Sequence, residues 1–162
     1  MLVSPFMGCD NLEKVDLAEL NAGKAYVTPV FHDNGDGTVT DTTSNGIMWH
    51  KCAYNEGADN TCAGSAAAIT WSNADTYCKS LSTAGYTDWR IPTLKELRTL
   101  KGLTGTSDDW FKDYATLNSQ YWWSSTFEAV RVFVSQLTAA GSENLSATTN
   151  NYYLRCVRSL AP

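Results

Sequence analysis

Positive charge is scarce in this chain. Its 12 Lys and Arg face 17 Asp and Glu, which leaves a formal net charge of -5 at pH 7. Nucleic acid and anionic membrane surfaces are held by a basic field, so neither is expected as a partner. Long apolar runs are missing as well. Nothing approaches the ~20 apolar residues of a membrane span. Histidine is rare. The two present, His32 and His50, are not spaced as metal ligands, and no Cys-x-x-Cys accompanies them. No Ser-x-x-Lys or Gly-x-Ser-x-Gly arrangement lies beside either, so hydrolytic catalysis has no visible machinery. These absences leave a binding or assembly role in front of an enzymatic one, and no cofactor is expected.

Aromatics and cysteines are what the chain does have. Six Trp, eight Tyr and five Phe in 162 residues supply ample surface for one ordered core. Five cysteines are present: Cys9, Cys52, Cys62, Cys78 and Cys156. Four fall inside the expected domain, residues 26–162, and allow three pairings, among which sequence alone cannot choose. The favoured set is Cys52–Cys62, closing a short polar loop, with Cys78–Cys156, tying a helix to the last strand. Both imply an oxidising, extracytoplasmic compartment. The apolar start ending in Gly8-Cys9 reads as the remnant of a lipoprotein signal, with Cys9 as the lipidation site. Residues 1–25 are then a tether, and the product is secreted or lipid-anchored.

Along the domain, Tyr26 to Phe31 is β-rich. Asp33-Asn34-Gly35-Asp36-Gly37 supplies the positive φ of a tight hairpin, and Asn45-Gly46 offers a second turn before Ile47-Met48-Trp49-His50. Trp71 to Leu81 has helical periodicity, with Ser72 as its cap, and Gly85 marks the turn that follows. Pro92 stops any upstream helix. Thr93 and Glu96 then form a capping box ahead of Leu94, Leu97 and Leu100, which predicts a helix over 93–101. Asp108 to Tyr114 suggests one helical turn. Tyr121 to Thr126, Ala129 to Leu137 and Tyr152 to Arg158 read as strands, with Val130, Val132 and Val134 on one face. Ser142 to Asn151 reads as a polar loop. The fold class is α+β: two helices on small antiparallel sheets, with long loops and disulfide bracing.

Six segments then match one family in order: Asp33 to Asp41, Gly46 to Trp49, Thr70 to Cys78, Gly85 to Leu97, Trp123 to Thr126 and Arg155 to Arg158. Over about residues 30–159 the chain resembles the family named after the C-terminal domain of the Legionella collagen-like protein. The resemblance implies a C-type-lectin-like build, a cysteine bridge from first helix to last strand (here Cys78–Cys156), and a bacterial surface module such as an adhesin. The name-giving member is associated with sulfated polysaccharides and trimers. This acidic chain departs from the first. It also lacks the Glu-Pro-Asn, Gln-Pro-Asp and Trp-Asn-Asp triplets of calcium-dependent lectins.

The expected function is therefore a non-catalytic module that recognises glycan or a host or matrix surface through loops 105–123 and 138–152. Trp122 and Trp123 leave opposite faces of a strand. Trp123 is assigned to the core and Trp122 to an exposed stacking platform with Trp110 and Tyr152, while Asn150 and Asn151 supply hydrogen bonds. Asp33, Asp36 and Asp41 are a weak alternative as a calcium loop, which a hairpin turn explains without metal. Arg90, Arg155 and Arg158 are read as partners of Trp rings and of carboxylates such as Asp88 and Glu96 rather than as anion binders. Assembly with copies of itself or with an envelope protein is the second reading. An oxidase-like enzyme is the third, and it would need free thiols at Cys78 and Cys156.

Overall fold

Turn chemistry sets the first sheet. In the computed structural model, which describes residues 30–42, 46–57, 59–103 and 110–160, Gly35 and Gly37 both adopt positive φ, and the backbone amide of Asn34 donates to Thr38 O at 3.0 Å. Strands β1 (Phe31–Asp33) and β2 (Thr38–Asp41) pair across that turn. β2 pairs with β3 (Ile47–His50), and β3 with the final strand β7 (Val157–Ser159), giving an antiparallel order β1-β2-β3-β7. The tether at 1–25, Cys9, Asn45 and Asp108-Asp109 lie outside the described residues.

The second sheet is a meander of β4 (Tyr121–Glu128), β5 (Arg131–Gln136) and β6 (Glu143–Ser146). β6 corrects the expected polar loop. Its side chains alternate, and what makes it a strand is pairing to β5 rather than apolar content. Val130 is corrected too. The β4–β5 turn is Ala129-Val130, with Ala129 at φ 52°, so Val130 leaves the ladder and is 85% exposed, while Val132 and Val134 are buried.

Helix α1 (Trp71–Ser80) begins two residues earlier than a Ser72 cap would allow. Thr70 holds the cap position and makes no side-chain capping bond. Asp75 instead pairs with Lys79 one turn on, at 2.7 Å. Helix α2 (Leu94–Thr99) starts as expected: Thr93 Oγ1 accepts the Glu96 amide at 3.2 Å, and Glu96 Oε2 accepts the Thr93 amide at 2.7 Å. The short helix α3 (Tyr114–Leu117) follows Asp113, itself left-handed at φ 59°.

Two apolar cores result, sharing one wall. One gathers Phe31, Val39, Ile47, Trp49, Leu97, Leu100, Phe111, Trp122 and Val157. The other gathers Met48, Ala74, Cys78, Leu81, Trp89, Trp123, Val132, Val134, Leu154 and Cys156. β3 is buried along its whole length because Ile47 and Trp49 serve the first core and Met48 the second. Trp122 and Trp123 divide in the same way. So do Leu154 and Cys156 against Val157.

Both disulfides of the favoured set are present, Cys52–Cys62 and Cys78–Cys156. They differ in reach, spanning 10 and 78 residues. In the chain-entropy account the long bridge is worth ~4–5 kcal/mol and the short one ~3 kcal/mol. Replacing both Cys78 and Cys156 by Ser therefore lowers urea-unfolding stability more than the same change at Cys52 and Cys62, provided both variants still fold. Equal losses would show that the long staple carries no special share.

Candidate functional site

Arg155 is the first residue whose surroundings decide a reading. It is 2% exposed. Its guanidinium donates to the carbonyls of His50 (3.3 Å), Lys51 and Lys112 (3.1 Å). It also lies 4.9 Å from the Phe111 ring and 5.6 Å from the Trp122 ring. Burial brings its pKa down to about 10, so it stays charged at neutral pH. Every role here is internal. Arg158 chelates Asp88 at 2.7 and 3.2 Å over the Tyr86 ring, and Arg90 chelates Glu96 at 2.8 and 2.7 Å. Arg158 and Arg90 thus pair with the carboxylates the sequence suggested, whereas Arg155 pairs with backbone carbonyls.

Trp122 must be moved from the site to the core. It is 1% exposed, its Nε1 donates to Leu117 O at 3.1 Å, and its ring lies 5.6 Å from that of Tyr153. The side chains do leave opposite faces, but both faces of β4 are covered at this point. Trp110 is half-buried at the edge of the first core, 5.7 Å from the Phe31 ring. Tyr152 belongs to the second core, 4.9 Å from the Trp123 ring. The expected three-ring platform is therefore not assembled.

The aspartates of the β1–β2 hairpin do not converge either. Asp33 accepts the Gly35 amide and pairs with Lys51 at 2.6 Å. Asp36 caps Thr38 at 3.1 and 2.5 Å. Asp41 is buried. Among the described residues, no group of three His, Cys, Asp or Glu is placed to hold a metal.

His50 is equally internal. Its Nδ1 lies 2.8 Å from Cys52 O, which can only accept, so Nδ1 carries the proton and Nε2 accepts from the Thr83 hydroxyl at 2.9 Å. Burial takes its pKa down to about 4, so the ring is neutral at pH 7. Glu56, which the sequence did not mark, is wholly buried. Its Oε2 accepts the Ala53 amide at 2.6 Å, and Oε1 faces the Lys112 ammonium at 3.9 Å, which fixes the Cys52–Cys62 loop against the approach to α3.

What the structure does bring together lies on one face of the β4–β5–β6 sheet, beyond the cover of α1. Tyr121 and Tyr152 meet edge to face with centroids 5.8 Å apart. Asn144 Nδ2 donates to Tyr121 Oη at 2.5 Å, and Ser142 Oγ lies 2.7 Å from the same oxygen. Asn150 Nδ2 donates to Ser146 Oγ at 2.9 Å, and Ser146 Oγ lies 3.2 Å from Tyr152 Oη. Asn150 and Asn151 are exposed. Two expected site residues, Tyr152 and Asn150, thus border one strip with Tyr121, Asn144 and Ser146, and Asn151 is exposed beside them in the chain. No Asp, Glu, Lys, Arg or His is among these side chains. Among the described residues, the amide oxygens of Asn144 and Asn150 take no hydrogen bond within the chain. The sequence signal for the strip is the polar content of 138–152, which reads as a binding loop; only the strand Glu143–Ser146 within it is missed.

The opposite face of β6 pins it in place. Glu143 accepts from Arg98 at 2.9 and 2.6 Å and from Lys101 at 2.8 Å, joining β6 to α2 and the residues just after it. Alternation along the strand then directs Asn144 to the other side.

With this geometry in view, the comparison with known families is decisive. The pattern of the Lcl C-terminal domain matches residues 37–158. The chain belongs to the Lcl C-terminal domain family. No curated protein matches it. Membership in the Lcl family points to a module of a collagen-like surface protein. Two disulfides are compatible with an extracytoplasmic location, and among the described residues no helix is long and apolar enough to cross a membrane.

Glu143 also gives this Lcl domain an acid limb. Its hydrogen bonds from Arg98 hold its pKa down at about 2. A carboxylate with a depressed folded pKa contributes stability above its unfolded pKa and loses it as pH falls through the folded value. Stability followed by denaturation therefore drops between about pH 4.5 and about pH 2, and Glu143→Gln flattens that part of the profile. An unchanged slope in the variant would mean that the cluster does not stabilise β6.

Proposed function

We propose that this Lcl domain is a non-catalytic extracellular binding module, C-type-lectin-like in build, that recognises a neutral glycan along the Tyr121–Asn144–Asn150–Tyr152 strip. The observation that carries the reading is the strip's composition. Two tyrosine rings offer apolar edges, two amides keep unused acceptors, and no Asp, Glu, Lys, Arg or His lies among the residues that border it. A sugar hydroxyl can donate to an amide oxygen while its C–H face packs on a ring. A sulfated chain would need cations, and Arg90, Arg98, Arg155 and Arg158 are engaged with carboxylates, carbonyls and rings. Secretion or lipid anchoring at the cell surface would present such a module to host or matrix glycans. No bond in the ligand is made or broken.

The test is a glycan array on folded protein, with Asn144→Ala and Asn150→Ala beside Trp110→Ala. The expected result is binding to uncharged glycans that falls about tenfold in either Asn variant, the size of one lost hydrogen bond with its desolvation cost, and stays unchanged in Trp110→Ala. Binding confined to sulfated glycans, or binding that ignores both Asn variants, would overturn the proposal. Assembly remains the second reading because Phe127 and Val130 are exposed apolar groups on a sheet that ends in an edge strand. A concentration-dependent mass in light scattering would favour it.

A further inference from the structure

Hydrogen-bond direction at the Tyr121 end of the strip is decided by Gln136, which closes β5 opposite Tyr121. The Gln136 side-chain amide sits between two backbone groups of opposite kind. Its Nε2 donates to Ser119 O at 2.8 Å, and its Oε1 accepts the Ser142 amide at 3.1 Å. Ser119 O can only accept and the Ser142 N–H can only donate, so the two ends of the Gln136 amide cannot exchange. The turn beside it is shaped to this contact. A Cβ on Gly141 would stand 2.7 Å from Gln136 O, so a side chain there would push residues 141–142 off the end of β5. The backbone amide of Gln136 donates to Ser142 O at 3.0 Å, and Lys101 Nζ donates to Gly141 O at 2.9 Å.

From that fixed point the protons can be assigned one contact at a time. Ser142 Oγ lies 3.1 Å from Gln136 Oε1. Two oxygens so close need a proton between them, and only Ser142 carries one. Tyr121 Oη lies 2.7 Å from Ser142 Oγ, whose proton is already committed, so the Tyr121 hydroxyl donates there. The Asn144 amide meets Tyr121 Oη at 2.5 Å, and with the phenolic proton committed it must present Nδ2. The direction set by Ser119 O and the Ser142 N–H thus passes through Gln136, Ser142 and Tyr121 to Asn144, and turns Asn144 Oδ1 away from the tyrosine. Asn150 has no such anchor. Its amide meets Ser146 Oγ at 2.9 Å, and a hydroxyl accepts as readily as it donates, so either end of the Asn150 amide satisfies that contact.

From this geometry we infer that Gln136 is the positioning residue for ligand choice at the strip: it holds Asn144 as an acceptor, so the ligand must bring a free hydroxyl to that position, and a glycan whose hydroxyl there is capped by a methyl or acyl group is refused. The inference rests on the neutral-glycan reading above and adds to it which residue sets the choice. A capped oxygen can only accept. Against Asn144 Oδ1 it leaves two acceptors facing each other without a proton, which costs more than a bond simply not made. Asn150 turns to suit either form. Gln136 itself meets no ligand and acts through Ser142 and Tyr121.

Two measurements on the full chain test this, using Gln136→Met, which removes the anchor, and Gln136→Glu, which keeps an acceptor for Ser142. In nitrogen-15 spectra without ligand, the two Asn144 Nδ2 protons are expected to lie far apart in the native domain and in Gln136→Glu, one bonded to Tyr121 and one not, and to draw together in Gln136→Met. The Asn150 pair is expected to stay unchanged throughout. The second measurement is an array of neutral β-glucan, xylan and galactomannan fragments beside their partially O-methylated forms. The native domain is expected to prefer a free-hydroxyl glycan about tenfold over its methylated form, Gln136→Glu to keep that ratio, and Gln136→Met to bring it near one while still binding. Asn144 signals that ignore Gln136→Met, or a methylation ratio that survives it, would overturn the inference and leave the glycan reading standing. A native domain that binds no neutral glycan would remove the glycan reading and this inference with it. Should Gln136→Met fail to fold, Ser142→Ala cuts the same chain one link nearer Asn144 at an exposed position, and the same two results are expected of it.

Discussion

Everything in this fold depends on one partition shared by two cores. The segments Trp122-Trp123 and Tyr153 to Val157 run side by side, joined where the Trp123 amide donates to Tyr153 O at 2.9 Å and the Tyr153 amide to Tyr121 O at 3.0 Å. Each sends alternate side chains into different cores. Because both faces are apolar, neither core can form without placing the partition, and the partition cannot be placed without closing both. Cys156 ties it to α1. Arg155 ties it to the carbonyls of His50, Lys51 and Lys112. Removing a buried cation of this kind takes a charge-assisted hydrogen bond from each of those oxygens, a cost of several kcal/mol by general experience with buried ionic groups. Its value is positional as much as energetic, since it sets β3, the Lys112 segment and Trp122 around a single planar group.

The candidate site is what this partition leaves over. β4 enters the molecule at Tyr121 and is sealed at Trp122-Trp123. The site lies at Tyr121, before the seal begins. β6 supplies Asn144, and it is held by ions on one side so that this amide faces the other. Rigid elements therefore carry most of the site. Only Asn150 and Asn151 stand on a turn, and that turn is tied back through Ser146.

Local chemistry was legible in the sequence where it is self-contained. The Thr93–Glu96 capping box, the Gly35 and Gly37 hairpin, and the apolar stripe of α2 each depend on residues within a few positions of one another. The pairing Cys78–Cys156 was favoured and is present, and the arginine–carboxylate reading held for Arg90 with Glu96 and for Arg158 with Asp88. What could not be read was coverage. Alternation says that Trp122 and Trp123 point apart. It does not say that a second core waits behind Trp122. β6 was invisible for the same reason, since Glu143-Asn144-Leu145-Ser146 is a strand only because β5 offers it a ladder.

Native-state amide hydrogen exchange tests the shared partition directly. The amides of His50, Tyr54, Trp123, Tyr153 and Val157, all bonded to or from its backbone, should exchange slowest and with one common opening free energy, set by global unfolding. If the amides facing the Trp122 core instead open well before those facing the Trp123 core, the two cores fold independently, and the partition is a seam between units rather than the element that unites them.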